Sequence, residues 1–187
     1  MPTGTGATVR VKILRGELVV VRPLRRTDAP TLDRFLRDKR VTRFLPPRVR
    51  SESGRSFVER VLRDQRRRLG FAFAIVPKGS EEVVGQIRLF NWSPWEQSAE
   101  LGYWLGRPYW GKGYGTDAVR LVCRFGFQSM NLHRVTAVVV AGNHQSEHAL
   151  LKAGFQREGS SRKSGRIDDE WRDEWLYGML EGELLEG

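Results

Sequence analysis

The chain has 187 residues, 40% hydrophobic and 29% charged, a composition that suits one globular domain large enough to bury a core. No run approaches the roughly 20 apolar residues of a membrane helix, and residues 1–7 lack the charged-then-apolar order of a secretory signal, so we expect a cytoplasmic protein without a membrane partner. The formal net charge of +10 belongs to the N-terminal third, because residues 1–68 carry 19 Lys and Arg against 7 Asp and Glu, whereas residues 69–187 carry 13 against 15.

The cysteine and histidine content gives little support to disulfide or metal chemistry. Cys123 is the single cysteine, which excludes an internal disulfide and a cysteine cluster. His144 and His148 lie four residues apart, as a pair of metal ligands on a helix does, but His133 is the only other histidine and supplies no convincing third ligand. We therefore expect no metal, and we expect His144 and His148 to be surface residues.

The first predicted elements are a strand and two helices. Residues 18–24 form a β-branched run that ends near a proline, and residues 27–30 offer an N-cap followed by proline in the first helical turn. Residues 51–69 repeat apolar side chains at helical spacing with arginines on the other face, and the arginines at 66–68 suit the negative end of a helix. Residues 1–16 are expected to be either disordered or an extra N-terminal strand.

The remainder of the chain predicts an antiparallel meander followed by alternating strands and helices. The meander consists of strands at 71–76, 83–90 and 99–105, joined by turns at 77–80 and 91–94. The later elements are a helix at 116–127, a strand at 134–140, a helix at 146–153 and two final strands. Together they predict a single α/β (α+β mixed) domain over residues 1–187, with a mixed sheet.

A glycine-rich loop, Gly106 to Thr116, lies between a predicted strand and a predicted helix. Gly111, Gly113 and Gly115 allow backbone N–H groups to converge beside a helix N-terminus, which favours an anion such as phosphate. The Walker pattern nearly fits, but Gly113 stands where the Mg²⁺-binding hydroxyl belongs. The dinucleotide pattern fails too, because Thr116 replaces its last glycine and the next strand offers no acidic residue for a ribose.

The residues around this loop resemble the GNAT acetyltransferases, and within them the branch of ribosomal-protein N-terminal acetyltransferases (Rim type). The loop WGKGYG at 110–115 supplies the family's two glycines, Gly113 and Gly115, although Trp110 replaces the usual Gln or Arg. LVVVRPLRRTDA, VGQI, AELGYWL and NHQSEHALLKAGF follow the family's order and spacing over nearly the whole chain. The resemblance implies a mostly antiparallel mixed sheet flanked by helices and splayed at the strand that binds the cofactor.

The same resemblance implies acetyl-CoA as the cofactor and identifies the residues that hold it. The loop would bind the pyrophosphate mainly through backbone N–H groups, and Lys112 would either face a phosphate or be an ordinary exposed lysine. The strand that ends at residue 105 would bind pantetheine and polarise the carbonyl through its backbone, and Asn143 would bind the pantetheine arm. The residues expected to contact the cofactor are Tyr103, Trp104, Leu105, Trp110, Gly111, Lys112, Gly113, Tyr114, Gly115, Thr116, Asn143 and Ser146.

Two residues are candidates for proton transfer. Strand alternation places Glu100 on the same face as Gly102 and Trp104, where it is either a general base acting through water or a carboxylate paired with an arginine. Ser146 lies three residues after Asn143, the branch's spacing for a thiolate partner, and it also suits the N-cap of a helix. Leu150 stands where the family commonly has a tyrosine. We interpret Cys123 as a core residue rather than a nucleophile, so the amine would attack directly.

The acceptor site is less visible in the sequence. Aromatic side chains that could line it are Phe44, Trp92, Trp95, Trp104 and Tyr177, although aromatic residues at such positions commonly fill the core. The C-terminal segment 167–187 holds eight acidic residues against one arginine, and four of them could attract a cationic amine: Asp168, Asp169, Asp173 and Glu174.

The leading hypothesis is an acetyl-CoA-dependent N-acetyltransferase that acts on a protein N-terminal α-amine by direct attack in a ternary complex. Ribosome association and a homodimer are the partners that the branch resemblance suggests. A polyamine, an amino acid or an antibiotic amine could equally be the acceptor. A basic ribosome- or RNA-binding module is a hypothesis of another class, and the few aromatic residues within 10–68 count against it. An acyl-CoA-binding regulator without turnover is a third.

Overall fold

A computed structural model of the protein describes residue 9 and residues 11–185. The N-terminal part comprises β1 (Leu14–Arg15), β2 (Val19–Pro23), α1 (Ala29–Leu36), α2 (Lys39–Thr42), α3 (Pro47–Arg50) and α4 (Gly54–Arg66). Of the N-terminal segment 1–16, residues 14–15 form the extra strand, whereas residues 1–8 and 10 lie outside the described residues.

The predicted elements of this part hold with two changes. The amphipathic helix starts at Gly54, because the Ser53 side chain accepts a hydrogen bond from Ser56 N and caps it. Asp28 precedes α1 but does not cap it. Its carboxylate instead binds the Arg22 guanidinium through both oxygens, at 2.9 and 2.7 Å, and accepts from Arg25 N at 2.8 Å. This buried pair joins the end of β2 to the start of α1.

The predicted meander and the alternating C-terminal elements are confirmed. The middle strands are β3 (Gly70–Pro77), β4 (Gly85–Ser93) and β5 (Ser98–Leu105), and the remaining elements are α5 (Tyr114–Met130), β6 (Arg134–Val140), α6 (His144–Ala153), β7 (Gln156–Ile167) and β8 (Glu170–Leu180). β4 extends three residues beyond its predicted end through a bulge between Phe90 and Ser93. Among the described residues, no helix is both long enough and apolar enough to span a bilayer.

All eight strands form one sheet in the order β1-β2-β3-β4-β5-β6-β8-β7. Every neighbouring pair is antiparallel except β5 and β6, which run parallel. That parallel pairing covers only residues 98–100 against 134–136, although β5 continues to Leu105 and β6 to Val140. The two strands therefore diverge beyond Glu100, so the predicted splay is present.

Each face of the sheet carries its own apolar core. On one face α5, through Val119 and its neighbours, and α6 pack against Leu101, Leu105 and other residues of the sheet, and Cys123 of α5 is completely buried there, as expected for a core residue. On the other face α1 and α4 cover β3 and Trp104 of β5. Between the two helix layers, β5 and β6 separate beyond their short pairing and leave a gap in the sheet. The candidate site lies at this gap.

Candidate active site

The divergence of β5 from β6 leaves backbone groups of β5 facing a gap. Gln97 O accepts a hydrogen bond from Arg134 N at the start of β6, and Gly106 N donates to Val84 O on the β4 side. Because backbone groups point alternately to the two sides of a strand, the N–H and C=O groups of Leu101 and Tyr103 face the β6 side. The last parallel pair, Glu100 with Thr136, engages the N–H of Leu101, and no described residue of β6 is in register with β5 beyond it. The C=O of Leu101 and both backbone groups of Tyr103 are therefore free to bind an extended molecule.

The glycine loop lies at the open end of this gap. Gly111 and Gly113 have φ angles of +73° and +78°, a left-handed conformation that side chains disfavour, and Gly113 begins α5 without any side-chain cap. The Trp110 indole donates from Nε1 to Leu105 O over 2.9 Å and so fixes the loop to the end of β5. The loop thereby presents the uncapped N–H groups of a 17-residue helix, an arrangement suited to phosphate oxygens.

A buried carboxylate in the first turn of α5 holds the helix in place. Asp117 accepts hydrogen bonds from Leu18 N at 2.8 Å and from Val19 N at 2.9 Å, and a Cβ at Gly16 would lie 2.4 Å from its Oδ2. The carboxylate therefore faces the turn before β2. No sequence pattern predicted this role, because the hydrogen-bond partners lie about a hundred residues away along the chain.

A cavity of about 600 Å³ opens on the face of α1 to α4, between the diverging strands. Alternate residues of β4 and their partners on β5 line its base in three cross-strand pairs. We call these six residues the cavity floor: Gln86 and Trp104, Arg88 and Gly102, and Phe90 and Glu100.

Glu100 has the surroundings of a general base. Its Oε2 accepts a hydrogen bond from Asn91 Nδ2 at 3.2 Å, and its side chain lines the cavity. Burial raises the pKa of Glu100, while the Asn91 hydrogen bond and the Arg88 charge oppose the shift and Glu174 adds to it. A carboxylate with a raised pKa accepts a proton more readily near neutral pH.

Asn143 and Ser146 lie on the opposite wall, at the start of α6. Asn143, not Ser146, caps this helix, because its Oδ1 accepts from Ser146 N at 3.3 Å and the helix begins at His144. Both residues line the cavity, as does Leu150. Burial raises the pKa of Tyr103 to about 12, and the neighbouring Ser146 side chain opposes that shift. Both residues line the cavity on this side of the gap.

The opposite end of the cavity is formed by the segment between α2 and α3 and by the β7–β8 hairpin. Phe44 contributes from the first and Glu174 from the second, where the Ser164 hydroxyl donates to Glu174 at 2.8 Å. The other three acidic candidates are engaged elsewhere. Asp168 pairs with Arg43, Asp169 pairs with Arg166, and Asp173 accepts from Lys163 N.

Several predicted site residues lie away from this cavity. The Trp92 ring packs 5.7 Å from Phe71, centroid to centroid, and Trp95 is 90% exposed. Tyr177 is buried and donates its hydroxyl hydrogen to Glu147 at 2.9 Å. Of the predicted aromatic residues, Phe44 and Trp104 do line the cavity.

The remaining predicted residues lie on the loop or the helix surfaces. Lys112 is exposed, and its Nζ lies 5.7 Å from the Tyr109 ring centre. Tyr114 and Thr116 occupy the first turn of α5. His144 pairs with Glu147 at 3.2 Å. Gly115 lies against Tyr103, where a Cβ would be 3.2 Å from the ring.

The cavity also contains two polar residues to which sequence reasoning gave no role, Gln86 and Arg88. Gln86 Oε1 and Trp104 Nε1 are buried and have no hydrogen-bond partner within the part of the chain that the structure describes. Arg88 extends between this cavity and a smaller neighbouring one. Gln86, Arg88 and Trp104 face the same cavity because of the register of β4 with β5. The alternation of side chains within each strand was the only sequence signal for this orientation.

Comparison with known proteins bears on this site. A family model described as an acetyltransferase (GNAT) domain matches residues 19–156. The probable N-acetyltransferase YjcK of Bacillus subtilis is 31% identical over 179 residues, which cover 90% of this chain and 97% of YjcK. The [ribosomal protein uS5]-alanine N-acetyltransferase of Escherichia coli is 27% identical over 110 residues, which cover 58% of this chain and 57% of that protein. Among solved structures, Mycobacterium smegmatis RimJ in complex with CoA-disulfide superposes with a TM-score of 0.81 at 26% identity, over 95% of this chain and 90% of that chain.

Proposed function

This chain belongs to the GNAT family and is an acetyl-CoA-dependent N-acetyltransferase, and on that premise we propose that its acceptor is a protein N-terminal α-amine. The observation that carries the proposal is the pair Gln86 Oε1 and Trp104 Nε1. One is an acceptor and the other a donor, both side chains belong to the cavity floor, and neither atom has a partner among the described residues. Both atoms are buried, so a bound peptide would reach them after a shift of the two side chains. Each residue of a peptide offers one backbone donor and one backbone acceptor, which match this pair.

Two features of the chain fit acetyl-CoA. The C=O of Leu101 and the N–H and C=O of Tyr103 suit the extended, amide-containing pantetheine arm, and the glycine loop with the N-terminus of α5 suits the pyrophosphate. When bound, acetyl-CoA supplies a thioester whose carbonyl carbon accepts the amine. Backbone N–H groups at the end of β5 would bind the carbonyl oxygen and stabilise the negative charge that develops on it.

Glu100 accepts the proton that the attacking amine must lose. The amine is protonated at neutral pH, and the carboxylates of Glu100 and Glu174, which both line the cavity, favour its entry as a cation. Burial of Glu100 then favours transfer of the proton to its carboxylate, because the neutral acid has the lower desolvation cost.

Ser146 and Tyr103 supply a proton on the opposite side of the gap. The Ser146 side chain opposes the rise in the pKa of Tyr103, so the two groups lie near each other and either could donate a proton toward a leaving sulfur. The pair would replace the tyrosine that the family commonly has where this chain has Leu150. The amine attacks directly, since the Cys123 thiol is fully buried and burial raises its pKa.

The test is an acceptor screen with purified protein and acetyl-CoA. Pentapeptides with a free N-terminus are compared with the same peptides carrying a blocked N-terminus and one internal lysine, and with spermidine and free amino acids. Acetylation confined to free N-termini supports the proposal. Acetylation of lysine side chains or spermidine alone contradicts it and leaves the small-amine hypothesis.

Ribosome association, cytoplasmic location and a homodimer are further predictions. Ribosome association is supported by the exposed arginines at the C-terminal end of α4 and in the turn after it, which are Arg63, Arg66, Arg67 and Arg68. Electrostatic binding to ribosomal RNA would weaken steeply as salt increases, and co-sedimentation with ribosomes at two salt concentrations measures this. Sedimentation equilibrium would give the oligomeric state.

A further inference from the structure

Arg88 is a partly buried cation of the cavity floor that lacks a carboxylate partner. Among the described residues, none accepts a hydrogen bond from its guanidinium, and no carboxylate oxygen lies within 4.0 Å of it. Its contacts are with aromatic rings. The guanidinium carbon, Cζ, lies 4.2 Å from the centre of the Phe90 ring and 5.9 Å from the centre of the Phe57 ring. Buried charges in proteins are ordinarily paired, so this one is an exception that calls for an explanation.

Two other arginines in similar surroundings show the ordinary arrangement. Arg22 binds Asp28 through both carboxylate oxygens. Arg60, which is 7% exposed, binds Glu52 in the same way at 2.6 and 2.7 Å and has Asp64 at 3.8 Å. Glu52 and Asp64 are thus occupied by Arg60, which leaves the charge of Arg88 available to a ligand.

The charge of Arg88 persists at neutral pH. Burial lowers the pKa of Arg88 to about 10, the nearby Arg60 lowers it further, and Glu100, Asp64 and Glu52 oppose the shift. The guanidinium is therefore a permanent cation in a desolvated place, where it binds an anion more strongly than a surface arginine does.

The position of Arg88 relative to Glu100 limits where such an anion would lie. Arg88 pairs across the strands with Gly102, two residues along β5 from Glu100, a separation of about 7 Å between Cα atoms. Gly102 keeps the floor open at this point, since a Cβ there would lie 3.1 Å from the Phe90 ring. A molecule with its amine at Glu100 would reach Arg88 within one or two residues, because a residue spans about 3.5 Å.

We propose that the acceptor carries a carboxylate within one or two residues of the reacting amine, and that the Arg88 guanidinium binds this carboxylate. The inference rests on the proposed function, so the carboxylate belongs to an aspartate or glutamate at the first or second position of the acceptor chain. The α-carboxylate of a free amino acid has the same chemistry, and the test separates the two sources.

The variants compared are Arg88→Met, which keeps similar volume without charge, Arg88→Lys, which restores a charge, and Arg55→Met. Arg55 is an exposed residue of α4 and provides the matched control. The acceptors are pentapeptides that differ by Asp against Asn at position 1 or at position 2, together with free aspartate and alanine. The readouts are kcat/KM and the shift in melting temperature that each acceptor produces in the presence of CoA.

The wild type should prefer the Asp peptide at one of the two positions by about 10- to 100-fold, the range of a charge-assisted hydrogen bond. This ratio should fall close to one in Arg88→Met, recover in part in Arg88→Lys and stay unchanged in Arg55→Met. The acidic peptide should raise the melting temperature of the wild type more than its Asn counterpart, and the difference should vanish in Arg88→Met.

Equal kcat/KM and equal melting shifts for Asp and Asn peptides in the wild type would overturn the inference, as would a preference that survives in Arg88→Met. If free aspartate is acetylated and stabilises the enzyme through Arg88 while no peptide does, the carboxylate assignment holds and the peptide proposal fails. If no peptide and no amino acid is acetylated, the melting shifts still decide whether Arg88 binds carboxylates.

Discussion

The side-chain amide of Asn91 donates a hydrogen bond to Oε2 of Glu100 over 3.2 Å, from a residue in the left-handed conformation at φ +51°. This links the bulged end of β4 to the candidate general base on β5. The contact lowers the pKa of Glu100 against the larger effect of burial, which raises it.

Asn91→Gly removes this contact without backbone strain, since glycine tolerates the same φ. A general base works when deprotonated, so with Glu100 as the proposed base kcat/KM should fall as the pH drops through the pKa of Glu100. Because the Asn91 hydrogen bond lowers the pKa of Glu100, its loss should raise that pKa and move the acid limb, the fall in kcat/KM at low pH, to higher pH. A pH profile of kcat/KM measures this shift. Gln97→Gly, at φ +51° in the same hairpin, is the control and should leave the limb in place. An acid limb at the same pH or at lower pH in Asn91→Gly would contradict the assignment of Glu100 as the general base.

Glu100→Gln should reduce kcat by about 10²- to 10⁴-fold, the usual contribution of a general base, while the Kd for acetyl-CoA changes little. Calorimetric titration and steady-state kinetics separate the two quantities. Glu96→Gln changes an exposed carboxylate in the turn between β4 and β5 and should have no effect on either. Normal turnover in Glu100→Gln would transfer the role of base to another group, of which Glu174 is the nearest candidate in the cavity.

Gly111→Ala tests the anion-binding loop. Gly111 at φ +73° and Gly79 at φ +78° both face open space, so an added Cβ introduces the same backbone strain of about 1–2 kcal/mol at either position. Both variants should lose similar thermal stability. Only Gly111→Ala should weaken acetyl-CoA binding, by about tenfold or more, because the strained loop turns its N–H groups away. Equal Kd values for the two variants would place the pyrophosphate elsewhere.

Ser146→Ala and Asn143→Ala separate proton transfer from helix capping. Since Asn143 is the cap of α6, its loss should cost about 1 kcal/mol of stability and raise the Kd for acetyl-CoA. Ser146→Ala keeps the cap and should lower kcat about tenfold or more with little change in melting temperature. The double variant Ser146→Ala with Tyr103→Phe should lose more than either alone. A Ser146→Ala enzyme with full kcat would show that its hydroxyl has no part in the reaction.

Asp28→Ala should destabilise the fold by about 3 kcal/mol, because Arg22, whose side chain is only 15% exposed, then keeps a charge without a partner. Arg172→Ala breaks an exposed pair with Glu170 and should cost under about 1 kcal/mol. Chemical denaturation of both variants gives the comparison. Similar losses of stability in Asp28→Ala and Arg172→Ala would mean that water reaches the Arg22 side chain as easily as the Arg172 side chain.

The strands and long helices were predictable because their apolar residues repeat over many positions. α2 and α3 have four residues each, too few for a period to appear, and they were not predicted. Alternation correctly placed Glu100 with Gly102 and Trp104 on one face. It could not show that Gln86 and Arg88 lie opposite Trp104 and Gly102, since that depends on the pairing register of β4 and β5.

The aromatic candidates show the same limit. Phe44 and Trp104 line the cavity, whereas Trp92 and Tyr177 pack elsewhere, and composition alone treats the four alike. Ser146 was considered as a helix cap because serine is a good one, but the chain enters α6 one turn earlier, at Asn143. Because the helix cap lies three residues before Ser146, the Ser146 side chain lines the cavity instead of capping the helix.

The short parallel pairing of β5 with β6 divides the sheet into two leaves. Three residue pairs join the five-stranded leaf, β1 to β5, to the three-stranded leaf of β6, β8 and β7. A pantetheine arm lying between them would replace the missing ladder, so the amide of Tyr103 should exchange with solvent rapidly in the free enzyme and slowly with CoA bound. The bound cofactor would then serve as a ninth strand, and occupancy of the active site would stiffen the contact between the leaf that carries Glu100 and the leaf that carries Glu174.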